Sequence, residues 1–138
     1  MKNMRLLIDG NILLDVLQKR EPHFADSSKI WKLCETEQEE GYISALTFAN
    51  LVYVMRKELD PEKIEDVWKL LSMIFHFTDL SVLDMNRAAG MHWADFEDAL
   101  QTATAERLRV DCIITRNVKN YRNSKIVAFT PTEFLARI

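Results

Sequence analysis

Residues 4–11, Met-Arg-Leu-Leu-Ile-Asp-Gly-Asn, decide the fold of this chain. Their apolar run is broken by Asp9, Gly10 and Asn11, a pattern typical of a short buried strand that ends at a carboxylate. In an open α/β sheet, ligands bind at the carboxyl ends of the strands. Asp9 is therefore the first candidate for a functional carboxylate. Asp9 and Asn11 are equally well explained as residues that cap a following helix, and this motif alone does not separate the two interpretations.

The rest of the chain alternates short apolar runs with amphipathic segments. Strands are predicted at 5–8, 42–44, 111–115 and 126–129, with a brief one at 82–83. Helices are predicted after residue 11, at 25–34, 46–59, 62–75, 86–92 and 95–108, and from residue 131 to the chain end. This order predicts an α/β fold of three layers (α/β/α), in which helices cover both faces of a mostly parallel central sheet. A length of 138 residues fits a single domain over 1–138.

Composition excludes several classes of protein. The chain is 48% hydrophobic and 28% charged, as expected of a folded globular protein, and no apolar run approaches the roughly 20 residues of a membrane helix. Cys34 and Cys112 lack the spacing of a metal site and fit reduced thiols in a cytoplasmic protein. The net charge of −3 does not favour polyanions, so nucleic-acid binding would need a local basic patch.

A second acidic cluster lies at residues 95–98, Asp-Phe-Glu-Asp, at the start of a predicted helix. Acids are common there because they cap the first turn and interact favourably with the helix dipole. That account explains Asp95 fully and Asp98 only in part, because Asp98 borders the apolar residues Ala99 and Leu100. An unpaired carboxylate beside a buried face is costly, and a cation would remove that cost. Asp98 is thus the favoured metal candidate of this cluster, ahead of Asp95 and Glu97.

The strand predicted at 111–115 is followed by Arg116 and Asn117, so Asn117 and Asp9 are expected at the carboxyl ends of neighbouring strands. Asn117 is also explained as an ordinary turn residue. Arg116, Lys119 and Arg122 recur at every third position without an intervening acid. Such a basic run, with Tyr121 among it, fits contact with an RNA backbone and stacking on a base, or simply a solvated loop.

Taken together, these segments resemble the PIN domain family, which includes the VapC-type toxins of toxin–antitoxin pairs. The resemblance covers nearly the whole chain in the family's order. It is carried by residues 6–11 (with Gly10 where the family usually has Thr or Ser), 43–47, 95–101, 113–121 and 129–135.

The resemblance implies a Mg²⁺-dependent ribonuclease site, with Mn²⁺ as an alternative cation. Asp9 and Asp98 match the family's first and third acids, and Asp95 is an additional acid that would bind metal or orient water. The family's second acid falls at Asn50, and its fourth falls at Asn117 or Asn120. Other polar residues are expected to hydrogen-bond within the site or to bind metal weakly, namely Asn11, Ser44, Asn50, Thr115 and Asn117.

Two functions of different classes follow from this resemblance. The first is a metal-dependent endoribonuclease, the toxin of a two-gene pair, with RNA as substrate, a protein antitoxin on the 46–75 helices and a homodimer as the expected assembly. The second is a catalytically silent module that binds RNA or a partner protein. Loss of two acids favours the second function, and retention of Asp9, Asp95 and Asp98 favours the first.

Overall fold

A computed structural model describes residues 3–138, so the first two positions of the predicted domain lie outside the described residues. Five strands are present there: β1 (Arg5–Ile8), β2 (Glu40–Ser44), β3 (His76–Thr78), β4 (Cys112–Ile114) and β5 (Ala128–Phe129). Seven α-helices accompany them: α1 (Gly10–Leu17), α2 (Phe24–Glu35), α3 (Ala45–Val54), α4 (Pro61–Ile74), α5 (Val82–Met91), α6 (Phe96–Leu108) and α7 (Pro131–Leu135). None of the helices in residues 3–138 combines the length and the apolar character needed to cross a membrane.

The five strands form one sheet in the order β3-β2-β1-β4-β5, and every neighbouring pair is parallel. The central strand β1 pairs with β2 on one side and with β4 on the other, so that Leu6 lies opposite both Gly41 and Cys112. The carboxyl ends of β1 and β4 are therefore adjacent, which confirms the predicted placement of Asp9 beside the residues that follow Ile114.

Successive side chains of a strand point to opposite faces of the sheet, so a strand of apolar residues places apolar side chains on both faces. Helices cover both of these faces. Leu6 and Ile8 pack into one apolar cluster with residues of α1, α2 and α4. Leu7, between them, faces the opposite cluster, which contains Ala105 of α6. This alternation, with both faces buried, confirms the predicted three-layer α/β/α fold with a parallel sheet.

The largest difference between the prediction and the structure lies between α4 and α6. Val82 and Leu83 are not a strand: they begin helix α5, and the hydroxyl of Ser81 accepts hydrogen bonds from the amides of Leu83 and Asp84. The strand of this region is instead His76–Thr78, paired with β2 at the sheet edge. Only Ala128 and Phe129 of the predicted 126–129 strand are assigned to β5, and α7 ends at Leu135, before the chain end.

Candidate metal and nucleic-acid site

Asp9 follows β1 directly and lies at the N-terminus of α1. Its amide donates to the carbonyl of Ile114, which continues the pairing with β4 by one residue. Its side chain accepts from the amide of Gly10 at 2.8 Å and from the Thr115 hydroxyl at 2.8 Å. Burial raises the pKa of Asp9, against the lowering effect of these two hydrogen bonds, and the negative charge of Glu97 raises it further. Asp9 therefore both caps the helix and presents a buried carboxylate at the predicted edge of the sheet.

Asp98 lies in the first turn of α6, where Asp95 caps the helix by accepting from the Asp98 amide at 3.1 Å. Oδ1 of Asp98 accepts from the hydroxyl of Tyr121 at 3.2 Å. Oδ2 is buried and has no hydrogen-bond partner among the described residues. Such an orphaned carboxylate oxygen is unfavourable unless a proton or a cation reaches it.

The acidic side chains of this region affect one another. Burial and the charge of Asp95 raise the pKa of Asp98 to about 6, and the charges of Asp9 and Glu97 contribute to the same shift. Asp95 and Asp98 border one open cleft, whereas Asp9 borders a smaller cleft with Asn11 and Asn50. A divalent cation bound near these acids would relieve their repulsion. The charge of Asp9 thus acts on Asp98, and a shared metal-binding role for the two acids stays a prediction.

The hydroxyl of Thr115 connects several predicted site residues. It donates to Asp9, and it accepts from the amide of Asn117 at 3.0 Å and from Nδ2 of Asn11 at 3.5 Å. Oδ1 of Asn11 accepts from the amide of Arg116 at 3.3 Å. Thr115 and Asn11 thus tie the loop after β4 to the carboxylate that follows β1, and both act by holding other groups in position.

Ser44 and Asn50 belong to the start and the body of the neighbouring helix α3. The hydroxyl of Ser44 caps this helix by accepting from the amide of Thr47, and its oxygen lies 3.0 Å from Oγ1 of Thr47. Thr47 Oγ1 also accepts from Gln101 at 3.4 Å, so these buried polar groups link α3 to α6. Asn50 is exposed and donates from Nδ2 to Oε2 of Glu97 at 3.3 Å.

The two amides considered for the fourth acid occupy different environments. Asn117 is exposed and precedes a short 3₁₀ helix, Val118–Tyr121, without capping it through its side chain. Asn120 instead lines an open cleft of about 510 Å³ together with Asp95 and Asp98. Asn120 thus borders the cleft of Asp95 and Asp98, whereas Asn117 is linked to Asp9 through the Thr115 hydroxyl. The predicted role of Asn117 stays a prediction.

The basic run divides into two parts. Arg116 is partly buried and its Nε donates to Oδ2 of the fully buried Asp15 at 2.9 Å, so its guanidinium already has a partner. Lys119 and Arg122 are exposed and line the cleft that Asp98 also borders. These two side chains, more than Arg116, are placed to meet an approaching phosphate, and RNA contact by the three stays a prediction.

Two residues of this region make contacts that the sequence did not predict. Tyr121, considered for base stacking, is only 3% exposed, so that its ring is unavailable to a base and its hydroxyl instead supports Asp98. Glu97, ranked behind Asp98 as a metal candidate, is the partner of Asn50. The only sequence signal for Glu97 was its place between Asp95 and Asp98, because a partner 47 positions away is a tertiary contact.

The residues present fit a hydrated divalent cation better than a fully enclosed one. Within residues 3–138, no group of three or more His, Cys, Asp or Glu side chains is arranged to hold a metal ion. Mg²⁺, however, keeps several waters and is commonly held by one or two carboxylates. The unpartnered Oδ2 of Asp98 and the mutual repulsion of the acids are consistent with that kind of site.

The chain is thus an α/β protein with a parallel sheet, one carboxylate after β1 and others at the start of α6. The sequence model of the PIN domain matches residues 5–119, and the chain belongs to this family. The predicted resemblance is confirmed. No curated protein sequence matches the chain.

Solved structures of similar fold come from bacterial toxin–antitoxin systems. A toxin–antitoxin complex from Klebsiella pneumoniae aligns with a TM-score of 0.70 and 22% identity, covering 91% of this chain and 97% of the other. VapBC-1 from nontypeable Haemophilus influenzae aligns with a TM-score of 0.69 and 17% identity, covering 94% and 99%. VapC20 from Mycobacterium tuberculosis, described as a sarcin-ricin loop cleaving toxin, aligns with a TM-score of 0.62 and 9% identity, covering 78% and 86%.

Proposed function

We propose that this chain is a metal-dependent endoribonuclease and the toxin of a toxin–antitoxin pair. The observation that carries the proposal is the buried Oδ2 of Asp98, which has no hydrogen-bond partner among the described residues and belongs to a carboxyl whose pKa is raised by burial and by the charges of Asp95 and Asp9. Membership of the PIN domain family and the RNA-cleaving neighbour support RNA as the substrate.

Asp9 and Asp98 are the residues that would hold Mg²⁺ or Mn²⁺, and Asp95, which borders the same cleft as Asp98, would orient water. The chemistry that such a cation supplies when bound is activation of a water for attack on a phosphodiester and neutralisation of the charge that develops on the phosphate. Thr115 and Gly10 fix the carboxylate of Asp9, while Tyr121 fixes that of Asp98. Burial raises the pKa of Tyr121, so its hydroxyl stays protonated and remains a donor.

Lys119 and Arg122 would bind RNA phosphates at the cleft beside Asp98. Positive side chains there position the backbone without reading its sequence. Trp93 and His92 also line this cleft and offer rings to an unpaired base. The chain's own residues would thus position the phosphodiester close to the carboxylates.

The proposed antitoxin would cover apolar side chains on helices α3 and α4. Exposed apolar residues are expected there if a partner binds, and the structure contains them: Tyr53 (65%), Val54 (45%), Trp68 (42%), Leu70 (42%) and Met73 (85%). An apolar surface of this kind marks an interaction site more often than a free surface. The toxin–antitoxin neighbours support a protein antitoxin as the occupant. Assembly into a homodimer stays an expectation of the family.

The test is cleavage of a mixed RNA panel with Mg²⁺ or Mn²⁺ by the wild type, Asp9→Asn and Asp98→Asn. Glu65→Gln on α4 removes an equal charge from an exposed position and serves as the matched control. We expect metal-dependent cleavage by the wild type and the control, and none by the two site variants. Growth arrest on expression should follow the same pattern if the nuclease is a toxin. Cleavage that survives both site substitutions would refute the assignment.

The alternative is a silent PIN-fold module that binds RNA or a protein. Asn50 and Asn117 or Asn120 at two acid positions favour it, because an amide contributes no charge to a cation. Calorimetry separates the two functions. A folded wild type that neither binds Mn²⁺ nor cleaves RNA would be a silent module.

A further inference from the structure

An open cleft of about 490 Å³ lies beside the edge strand β5 and adjoins the cleft that Asp98 borders. We refer to it as the β5 cleft. Its apolar lining comes from Val118, Ile126, Val127 and Ala128, and its cations are Lys119, Arg122 and Lys125. Lys119 and Arg122 line both clefts, so the two clefts form one continuous surface. The volume lies within the range of about 300–1,000 Å³ that is typical of small-ligand sites.

The β5 cleft is held in shape by hydrogen bonds of its own lining. The carbonyl of Val127 accepts from the amide of Ile113 at 2.9 Å, which fixes this residue to the neighbouring strand. The hydroxyl of Ser124 accepts from the amide of Ile126 at 3.0 Å, and the amide of Ser124 donates to the carbonyl of Tyr121 at 2.9 Å. The side chain of Val127 is nevertheless 49% exposed. An apolar surface is therefore presented to solvent by a backbone that is already ordered, which lowers the entropic cost of binding a ligand.

The charges around the β5 cleft are all of one sign. Residues 112–132 contain four basic residues and no acidic one, although the net charge of the whole chain is −3. Lys119, Arg122 and Lys125 are exposed, and none of them forms an ion pair within residues 3–138. Free cations around an apolar floor complement a ligand that carries both an apolar plane and negative charge. A nucleotide has both of these properties.

The side chain of Tyr121 separates the β5 cleft from Asp98. Its ring lines the β5 cleft, and its hydroxyl donates to Oδ1 of Asp98 at 3.2 Å. A base in the β5 cleft would thus lie one aromatic side chain away from that carboxylate. A nucleic-acid strand that crosses Lys119 and Arg122 can contact both clefts at once.

We propose that the β5 cleft binds an unpaired base of the RNA strand next to the nucleotide at Asp98, while Lys119, Arg122 and Lys125 bind the adjoining phosphates. This inference rests on the proposed function, because the ligand is the RNA that the Asp98 site would cleave. The base must be unpaired, because only an unstacked base can be splayed out of its strand into a side cleft. Lys125 and Val127 thereby join the RNA-binding surface, to which the cleft beside Asp98 does not assign them.

A solvated surface loop is the alternative explanation of the same residues, because connecting segments are commonly exposed and polar. On that explanation, substitutions at Lys125 and Val127 would change RNA binding no more than substitutions elsewhere on the surface. The two explanations therefore differ in a quantity that can be measured.

The first experiment measures binding of a single-stranded RNA oligonucleotide by fluorescence anisotropy. EDTA is present, so that metal-dependent cleavage is blocked, and circular dichroism establishes that each variant is folded. Lys125→Ala is expected to reduce the slope of log affinity against log salt by about 0.7. Val127→Glu is expected to weaken binding about tenfold or more, because it brings a negative charge against the phosphates.

Each variant has a matched control outside the cleft. Lys57→Ala removes an exposed lysine beyond the end of α3 and should keep the full salt slope. Val82→Glu places the same acid at a valine of α5 that is 77% exposed, and it should bind RNA as the wild type does.

The second experiment locates the base by photo-crosslinking of an oligonucleotide that contains thiouridine. Trypsin cleaves after Lys125 and Arg137, so a base in the β5 cleft labels peptide 126–137, whereas a base beside Trp93 labels peptide 88–107. We expect label on peptide 126–137 in the wild type and its loss in Val127→Glu. An oligonucleotide that lacks bases should bind more weakly than the complete one, and equal affinities would refute a base-binding cleft.

The outcomes separate this inference from the proposed function. A wild type that cleaves RNA with Mn²⁺ but leaves peptide 126–137 unlabelled, or whose two variants bind RNA as their controls do, overturns the β5 cleft alone. Labelling of that peptide by a wild type that does not cleave RNA supports the cleft and overturns the nuclease. Binding of polyglutamate as tightly as RNA would assign the cleft to an acidic protein segment and overturn the inference. A dimer that dissociates in Val127→Glu would likewise overturn it, by assigning the cleft to a second copy of the chain. A folded wild type that binds no RNA overturns both proposals.

Discussion

The hydroxyl of Thr115 donates a hydrogen bond of 2.8 Å to Oδ2 of Asp9, although 106 positions separate the two residues in the chain. The contact exists because β1 and β4 are neighbours in the sheet, so the residues that follow them meet at one edge. Thr115 is fully buried. Its hydroxyl is therefore shielded from solvent, and it holds the Asp9 carboxylate toward the loop after β4.

Thr115→Val is expected to weaken cation binding without unfolding the protein. Valine keeps the shape of threonine but cannot donate to Asp9, and loss of such an orienting contact costs about 10–100-fold in metal affinity. Calorimetric titration with Mn²⁺ measures the effect. Thr102→Val is the matched control, because the Thr102 hydroxyl is buried without a partner among the described residues and its removal should leave Mn²⁺ affinity unchanged. Equal affinities of the two variants would contradict the role given to Thr115.

Most of the fold follows from sequence because its central strands are short, apolar and buried on both faces. Leu6–Ile8 and Cys112–Ile114 are fully buried, and their apolar runs end at polar residues that mark the sheet edge. The edge strand His76–Thr78 has a single apolar residue and follows closely on the end of α4, so local pattern does not separate it from the helix. Val82 and Leu83 are consecutive apolar residues, a pattern that in sequence is typical of a short strand. In the structure both side chains are exposed.

The site was predictable where a residue's function follows from its position in an element. Asp9 ends a strand, Asp98 borders a buried helix face, and Thr115 ends the neighbouring strand. Glu97 and Tyr121 depend on partners in other elements, Asn50 and Asp98. Residue type and spacing carry no information about such contacts until the helices are packed.

Asp98→Asn is expected to stabilise the metal-free protein near pH 7.5 and to abolish its stabilisation by Mn²⁺. The folded-state pKa of Asp98, about 6, lies above the ordinary value of 3.8, so this carboxyl contributes its full stability below about pH 4 and loses it as pH rises through 6. At pH 7.5 the carboxylate is charged beside Asp9, Asp95 and Glu97, and asparagine removes that repulsion. Melting temperatures at pH 7.5 and 5.0, with and without Mn²⁺, provide the measurement.

The pH dependence is the discriminating feature of that experiment. The difference in melting temperature between Asp98→Asn and the wild type should shrink at pH 5.0, where much of the wild-type carboxyl is protonated. Glu65→Gln should show no comparable change between the two pH values. A site variant that is less stable than wild type at both pH values would show that Asp98 is a structural acid.

Arg116→Ala is expected to destabilise the fold instead of acting only on RNA. Asp15 is fully buried and its Oδ2 is held by Arg116 and by the Ser27 hydroxyl, so the substitution leaves a buried carboxylate without its cation. Breaking a buried pair in this way costs about 3–5 kcal/mol. Urea denaturation measures the loss. The double variant Asp15→Asn with Arg116→Met removes both charges and should lose less, whereas equal losses would show that the ion pair is not the cause.

Lys119→Ala and Arg122→Ala are expected to weaken RNA binding while leaving stability and Mn²⁺ affinity near those of the wild type. Both side chains are exposed at the cleft beside Asp98. Each phosphate contact that is removed should reduce the slope of log affinity against log salt by about 0.7 for single-stranded RNA. Binding of an RNA oligonucleotide to the Asp9→Asn protein, in which cleavage is expected to be blocked, is measured by fluorescence anisotropy over a series of salt concentrations. Lys57→Ala, which removes an exposed lysine just beyond the end of α3, is the control and should keep the full slope. Unchanged slopes in Lys119→Ala and Arg122→Ala would place the RNA on another face of the protein.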